Sequence, residues 1–341
     1  MRRGAVVLLA GALVALAACG DDEDSGDSSD DDGSGAELTE LSIGYSAWPG
    51  WFPLAVAEEQ GFFEDAGLDV ELTFFADYTA SLDALVAGQI DVNAQTLSDT
   101  IFAVSSGAEQ KVVIVNDNST GNDQIICDES VTTMEDIRGK NVAAEAGVVD
   151  HFLLLQGLEK AGMTEADIKF NGVKTADAAA AFAGGEFDCV GVFAPFTIQA
   201  LERPGSKALF TSAEFPGVIP DHLVATTEAA GNSEAMTKLV EAWYATLDYL
   251  VSSPDEARAI MAEKAGISED EYADLEAGTT LFDAAKAVDA FQDRPGDPTS
   301  LPEMARRLNP FLVSSGLTEE EADLTGLFEP SFTEAYAEKS S

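Results

Sequence analysis

The sequence contains few of the side chains on which enzymes and nucleic-acid-binding proteins usually depend. Its 341 residues include 18 lysines and arginines against 62 aspartates and glutamates, two histidines and three cysteines, and its formal net charge is −44. A field of this sign repels phosphate groups, so we expect no nucleic-acid partner. No GxSxG, HExxH or GxxxxGK motif occurs. We therefore expect no enzymatic activity, no cofactor and no metal site.

Long apolar runs are also missing, apart from one near the amino terminus. That run, residues 5–18, is shorter than the roughly 20 residues that a membrane-spanning helix needs. Arg2 and Arg3 precede it, and the sequence LAAC ends it at Cys19, which resembles the lipobox of bacterial lipoproteins. We predict a lipoprotein signal peptide over residues 1–19 with lipid attached to Cys19. An ordinary secretory signal peptide is the alternative.

The segment after Cys19 is acidic and has no apolar side chain larger than alanine. It reads GDDEDSGDSSDDDGSGA over residues 20–36. Such a segment cannot bury enough surface to fold, so we predict a disordered, self-repelling tether. A lipidated cysteine followed by a tether predicts an extracytoplasmic protein that is anchored through its lipid to the outer face of the cell membrane.

The body of the chain alternates strand and helix patterns, which is typical of an α/β protein. Ten strands are predicted between residues 41 and 227, with helices between most of them, and the pattern becomes fully helical from residue 232. Residues 82–99 and 179–196 repeat the order helix, glycine, strand and turn. This repeat favours two similar lobes; the alternative is that any two βαβ units look alike.

Four segments together resemble the substrate-binding proteins of ABC importers, in particular those for nitrate, sulfonates, taurine and thiamine-pyrimidine precursors. The resemblance implies the two-lobed type II periplasmic-binding-protein fold, in which each lobe is a mostly parallel sheet flanked by helices and a helical C-terminal tail covers the first lobe. The segments are IGYSAWPGWFPLAVAEEQGFFEDAGLDVELTFF, LVAGQIDV, MEDIRGKNVAAEAG and GEFDCVGVFAPF.

The resemblance also implies how the chain is divided and which partners it has. We expect lobe 1 to comprise residues 37–120 and 226–341, and lobe 2 to comprise residues 121–225. A small-molecule ligand is expected between the lobes, from which it passes unchanged to an ABC importer permease. We expect the protein to be a monomer.

Candidate ligand contacts follow from the position of the strands, because ligands of open α/β sheets bind beyond the carboxyl ends of the strands. Trp48 and Trp51 flank the turn Pro49-Gly50 at such an end, and both are candidate contacts. One of the two indoles is expected to belong to the core, and we favour Trp48 as the one that contacts ligand. Helix capping alone is the alternative for Thr96 and Ser98, and a solvated loop is the alternative for residues 116–123. The predicted contacts are Ser46, Trp48, Trp51, Asp77, Thr96, Ser98, Asn118, Asn122, Asp123, Gly147, Val148, Phe193 and Phe196.

The charges of these stretches indicate the class of ligand. They contain no lysine or arginine, but they contain Asp77, Asp117 and Asp123. We predict an amine-bearing or heteroaromatic ligand, such as a pyrimidine, stacked on indole beside a carboxylate. The alternative is a sulfonate, taurine or nitrate held by backbone N–H groups and hydroxyls. The alternatives of another class are a pyrimidine-synthase-like enzyme, although the cysteine-rich motif of those enzymes is absent here, and an acid–base enzyme that uses Asp123 and Glu145.

The resemblance makes the strands that carry Cys127 and Cys189 antiparallel neighbours in the second lobe. Paired cysteines outside the cytoplasm tend to oxidise, so we predict a structural disulfide. Two separate buried thiols are the alternative.

Overall fold

The computed structural model describes residues 38–340, so the predicted signal peptide, the lipidation site Cys19 and the tether lie outside the described residues. Within this range the chain forms eleven strands and fourteen α-helices. The strands are β1 Thr39–Ser46, β2 Leu68–Phe75, β3 Val92–Thr96, β4 Gln110–Ser119, β5 Asp123–Cys127, β6 Asn141–Ala144, β7 Lys169–Gly172, β8 Cys189–Phe193, β9 Lys207–Thr211, β10 Pro220–Thr226 and β11 Thr279–Leu281.

The helices follow most strands of the first two thirds of the chain and dominate the last third. They are α1 Pro53–Gln60, α2 Phe62–Asp65, α3 Tyr78–Val86, α4 Leu97–Ser105, α5 Val149–Lys160, α6 Thr175–Ala183, α7 Phe196–Leu201, α8 Thr227–Gly231, α9 Ser233–Ser252, α10 Pro254–Ala265, α11 Glu269–Glu276, α12 Ala284–Phe291, α13 Leu301–Ser314 and α14 Ser331–Ser340. None of these described helices is long and apolar enough to cross a membrane.

The strands form two sheets of similar design. The first sheet has the order β11-β4-β10-β3-β1-β2 and the second has the order β7-β6-β8-β5-β9. In each sheet a strand that enters from the other sheet lies antiparallel between two strands of its new sheet: β10 between β3 and β4, and β5 between β8 and β9. Four of the six strands of the first sheet and four of the five strands of the second run in the same direction, so each sheet is mostly parallel, as predicted, with one or two antiparallel strands. We call each sheet with its flanking helices the first and the second lobe.

Two predictions, on where the chain returns to the first lobe and on the helical tail, are wrong. The return to the first lobe comes before Pro220 rather than at residue 226, because all of β10 pairs with β3 and β4. The region after residue 232 is not entirely helical, because β11 extends the first sheet by pairing antiparallel with β4. Three residues are too few to give a period-2 pattern in the sequence.

The helices of the C-terminal tail cover the first lobe. Helix α9 packs against β1, α1 and α2, and α14 packs against β4 and α9. Trp243 of α9 is 1% exposed and belongs to this core. The apolar positions of α9 recur at helical spacing, so one face is buried against the sheet while the other is solvated.

The cysteines Cys127 and Cys189 are joined in the second lobe. They lie opposite each other at the ends of the antiparallel strands β5 and β8, with Cα atoms 4.0 Å apart and an S–S bond of 1.99 Å. Both side chains are fully buried.

Candidate functional site: an aromatic and carboxyl-lined cavity between the lobes

Four aromatic rings surround a small cavity to which both lobes contribute. Trp48, Trp51 and Tyr78 come from the first lobe and Phe193 comes from the end of β8 in the second. Ring centroids are 6.4 Å apart for Trp48 and Trp51, 5.3 Å for Trp51 and Tyr78, and 6.4 Å for Trp48 and Phe193. The enclosed volume is about 10 Å³, so the rings lie almost against one another.

The turn after β1 brings both indoles to this cavity. Trp51 N–H donates to the Trp48 carbonyl oxygen at 3.0 Å, which folds the chain back within four residues. Gly50 is required in this turn, because a Cβ atom there would lie 1.9 Å from Oδ2 of Asp117. Trp48 Nε1 in turn donates to Oδ1 of Asp117 at 3.1 Å. The turn and β4 are thus fitted to each other through Asp117.

Three carboxyl groups lie at the same place, at or near the ends of strands. Asp117 of β4 and Asp221 of β10 are direct partners across the sheet, and Asp123 is the first residue of β5. All three are at most 1% exposed. Burial raises the pKa of Asp123 to about 7. Burial also raises the pKa values of Asp117 and Asp221, and the proximity of two acids holds the value of Asp221 especially high.

The cavity wall has unused hydrogen-bonding capacity. The Asp117 and Asp221 carboxyl groups are hydrogen-bonded to each other. The Oδ2 atom of Asp123 and the Nε1 atom of Trp51 have no hydrogen-bond partner among residues 38–340. No lysine or arginine is among the described residues that line the cavity. Buried polar atoms in proteins are nearly always paired. A ligand with both hydrogen-bond donors and an acceptor would satisfy these groups.

A second set of carboxyl groups lies behind the cavity wall. Asp99, 3% exposed, accepts hydrogen bonds from Tyr78 Oη at 2.7 Å and from Thr96 Oγ1 at 2.9 Å, and burial raises its pKa to about 7. Glu145 accepts from the Thr175 N–H at 3.0 Å and also contacts the Thr79 hydroxyl of the other lobe. Within residues 38–340 no group of three or more His, Cys, Asp and Glu side chains is arranged to hold a metal ion.

The family model described as NMT1/THI5 like matches residues 48–257, which is more than half of the chain. The chain belongs to the NMT1/THI5-like family. The match includes the Trp48 turn, both crossings between the sheets and every residue that lines the cavity.

Curated relatives of this family member are named as binding proteins. A Brucella abortus protein, provisionally named a binding protein, is 28% identical over 235 residues, which cover 67% of this chain and 72% of the relative. An Escherichia coli protein, provisionally named an aliphatic sulfonates-binding protein, is 29% identical over 222 residues, which cover 63% of this chain and 69% of the relative.

Solved structures share the fold at low sequence identity. The periplasmic aliphatic sulphonate binding protein of Escherichia coli superposes with a TM-score of 0.70 at 21% identity, covering 86% of this chain and 99% of that one. The alkanesulfonate-binding protein of Xanthomonas axonopodis, solved with MOPS bound, gives a TM-score of 0.72 at 18% identity with the same coverage. The two-lobed periplasmic-binding-protein fold expected from the sequence is therefore confirmed.

Five of the predicted contact residues meet at the cavity, namely Trp48, Trp51, Thr96, Asp123 and Phe193. The structure does not separate the two indoles: Trp48 and Trp51 are both buried in the core, and both line the cavity. Phe196 lies behind Phe193, with ring centroids 5.5 Å apart, and is not part of the wall.

The other predicted residues do not line the cavity. Asp77 forms an ion pair with Lys174 of the second lobe, and Asn122 is held by the Leu275 carbonyl and the Thr279 hydroxyl. Three of the others use their polar groups locally: the Ser98 hydroxyl contacts Thr96, Asn118 donates to the Ser119 carbonyl, and the Gly147 N–H donates to Nδ1 of His151. Ser46 is buried at the end of β1, and Val148 precedes α5.

The predicted contact list lacks four lining residues, Tyr78, Val149, Ile219 and Asp221. Tyr78 and Val149 each begin a helix directly after a predicted strand end, so the rule that identified their neighbours also applied to them. Ile219 and Asp221 flank the start of β10. They were not predicted because the sequence analysis placed the return to the first lobe at residue 226, after both residues.

Proposed function

We propose that this chain is the solute-binding component of an ABC importer and encloses a small ligand that carries an ammonium group. The observation that carries the proposal is the combination of four aromatic rings with buried carboxyl groups around one cavity, where the Oδ2 atom of Asp123 has no partner among the described residues. Aromatic faces attract cations, and a desolvated carboxylate is stabilised by a cation that donates hydrogen bonds to it. The proposed contacts are Trp48, Trp51, Tyr78, Thr96, Asp123, Phe193 and Asp221.

The transport role is supported by the family and by the names of the relatives. The ligand passes unchanged to a permease, and recovery of the intact ligand after incubation with the protein, measured by mass spectrometry, tests this against the enzyme alternative. An acid–base role for Glu145 is disfavoured because Thr175 and Thr79 already occupy its oxygens. The structure does not favour the pyrimidine ligand predicted from the sequence over any other amine.

A sulfonate ligand is the second candidate, favoured by the name of the Escherichia coli relative and by the free Trp51 Nε1 donor. It is disfavoured because no guanidinium or ammonium group lines the described cavity to offset the cost of burying a sulfonate there. Taurine carries both an ammonium and a sulfonate group and could use both kinds of contact.

Isothermal titration with three two-carbon ligands separates these candidates. Ethanolamine carries only the ammonium group, ethanesulfonate carries only the sulfonate, and taurine carries both. Binding of ethanolamine or taurine without binding of ethanesulfonate supports the ammonium proposal. Binding of ethanesulfonate alone would replace it by the sulfonate candidate, and an aminopyrimidine and putrescine extend the same series to larger amines.

Anchoring and assembly state belong to the same proposal. We propose an extracytoplasmic monomer anchored by lipid on Cys19, supported by the LAAC sequence and the acidic segment after it. Membrane fractionation of the wild type and of Cys19→Ser tests the anchor, and light scattering of the purified protein tests the monomer.

A further inference from the structure

Asp99 lies at the contact between the two lobes and collects donors from both. It is in the first turn of α4 in the first lobe, where the Tyr78 and Thr96 hydroxyls donate to its Oδ2 atom at 2.7 and 2.9 Å. The backbone N–H of Val149, the first residue of α5 in the second lobe, also donates to its carboxyl group. Three donors from three separate elements therefore converge on one buried carboxyl group.

Such a group of donors is an anion site. The first N–H groups of a helix lack partners within the helix and carry partial positive charge, which favours an anion there. Helix α5 has twelve residues, and its N-cap residue Val148 provides no side-chain cap. The cap is instead the carboxyl group of Asp99, supplied by the other lobe.

An independent feature shows that the neighbouring cavity wall is built to meet a ligand. Trp51 is 3% exposed and its Nε1 atom has no acceptor among the described residues. Trp51 lines the same cavity as Tyr78, Thr96 and Val149, three residues that donate to Asp99. An anion that entered the cavity would find all of these donors close together if Asp99 did not already occupy most of them.

We propose that Asp99 is a specificity-determining residue whose carboxyl group fills the oxyanion position at the start of α5 and so excludes small oxyanions from the closed site. This inference deepens the proposed function, because it explains why the site takes an ammonium group rather than a sulfonate. Asp99 itself does not line the cavity, so it acts through the donors that it occupies.

Chemical rescue of Asp99→Ala tests the proposal. The substitution removes the carboxyl group and leaves a space that formate fits. We expect about 50 mM formate to raise the melting temperature of the variant by about 1–2 °C, a small shift because the unfolding entropy of a protein of this size is large. Chloride at equal ionic strength should not do so, and formate should change neither the wild type nor Asp83→Ala, which alters an exposed carboxyl group of α3.

Ethanesulfonate provides the second measurement. We expect it to bind Asp99→Ala at least ten times more tightly than it binds the wild type. If Asp99→Ala does not fold, Asp99→Ser serves for the same titration, because its shorter side chain also removes the carboxyl group from the oxyanion position. A folded variant with neither formate rescue nor any gain in ethanesulfonate affinity would overturn the proposal, as would a wild type that binds ethanesulfonate as tightly as the variant.

Failure of the ammonium proposal would look different. In that case ethanolamine, taurine and larger amines fail to bind the wild type, while formate rescue of Asp99→Ala still reports on the role of Asp99.

Discussion

Raising the pH should destabilise the ligand-free protein over an interval in which ordinary carboxyl groups no longer titrate. Burial raises the pKa values of Asp99 and Asp123 to about 7, and it raises those of Asp117, Asp150 and Asp221 as well. In the unfolded chain these groups titrate near 3.8. Above about pH 4 the folded protein therefore holds protons that the unfolded chain has lost. Stability must fall between about pH 4 and 7 because of Asp99 and Asp123, and it must continue to fall above pH 7 because of Asp117, Asp150 and Asp221.

The size of the effect follows from the shifts. The pKa values of Asp99 and Asp123 are each raised by roughly three units, and each unit is worth about 1.36 kcal/mol. At pH values well above 7, these two groups should therefore each have lowered the free energy of unfolding by up to about 4 kcal/mol relative to acid pH. The two histidines act in the opposite sense: burial lowers the pKa of His222 to about 3 and lowers that of His151. Their contribution is complete above about pH 7, so the interval from pH 7 to 8.5 reports on the carboxyl groups.

Urea unfolding at pH 6.5, 7, 7.5, 8 and 8.5 measures this dependence. We expect the free energy of unfolding to fall by at least about 1.4 kcal/mol per pH unit from pH 7 to 8, the slope for one excess proton in the folded state. Asp123→Asn should reduce the slope, and the exposed Asp83→Asn should leave it unchanged. A ligand with an ammonium group should also reduce it. A stability that is flat or rises from pH 7 to 8.5 would refute the assignment of protonated buried carboxyl groups.

Three other perturbations test separate parts of the structure. Trp48→Ala removes the indole and its hydrogen bond to Asp117, so we expect ligand affinity to fall at least about tenfold, or 1.4 kcal/mol. Trp243→Phe in the α9 core should leave the affinity unchanged. Equal affinity of Trp48→Ala and wild type would contradict the proposed site. Peptide mapping without reduction should recover Cys127 joined to Cys189, and Cys189→Ser should lower the free energy of unfolding by up to about 4 kcal/mol for a loop of 62 residues; recovery of both cysteines as free thiols ends that claim. Lys174→Ala breaks the exposed ion pair with Asp77 across the lobes, and we expect stopped-flow dissociation of the ligand to become up to about fivefold faster, a small effect because the pair is exposed. No change relative to Lys160→Ala, whose ion pair involves Glu214, would show that the pair does not hold the lobes closed.

The sequence indicates most elements of the fold, because most strands from β1 to β10 carry buried apolar residues and most early helices follow a strand closely; β7, which has no buried residue, is an exception. β11 has only three residues, and its strand conformation depends on the edge that β4 offers it, so no local pattern could reveal it. The position of β10 between β3 and β4 is likewise a property of the whole topology.

The candidate site is only partly readable from the sequence. The rule that ligands lie beyond strand ends located Trp48, Thr96, Asp123 and Phe193. It could not separate these from Asn122 or Asp77, because a strand end fixes where a residue lies but not which partner its side chain finds. Asp99 and Asp221 were missed for a related reason: their roles depend on residues of the other lobe or of a strand more than 100 positions away.

The central claim, that buried carboxyl groups hold an ammonium group between the lobes, is tested most directly by a crystal structure of the protein with the amine that binds most tightly in the calorimetric series. The ligand nitrogen should lie within about 3 Å of carboxyl oxygens of Asp123 or Asp221, with its carbon atoms against Trp48, Trp51, Tyr78 or Phe193. A ligand bound outside this cavity, or one that places an oxyanion group against these carboxyl groups, would contradict the claim.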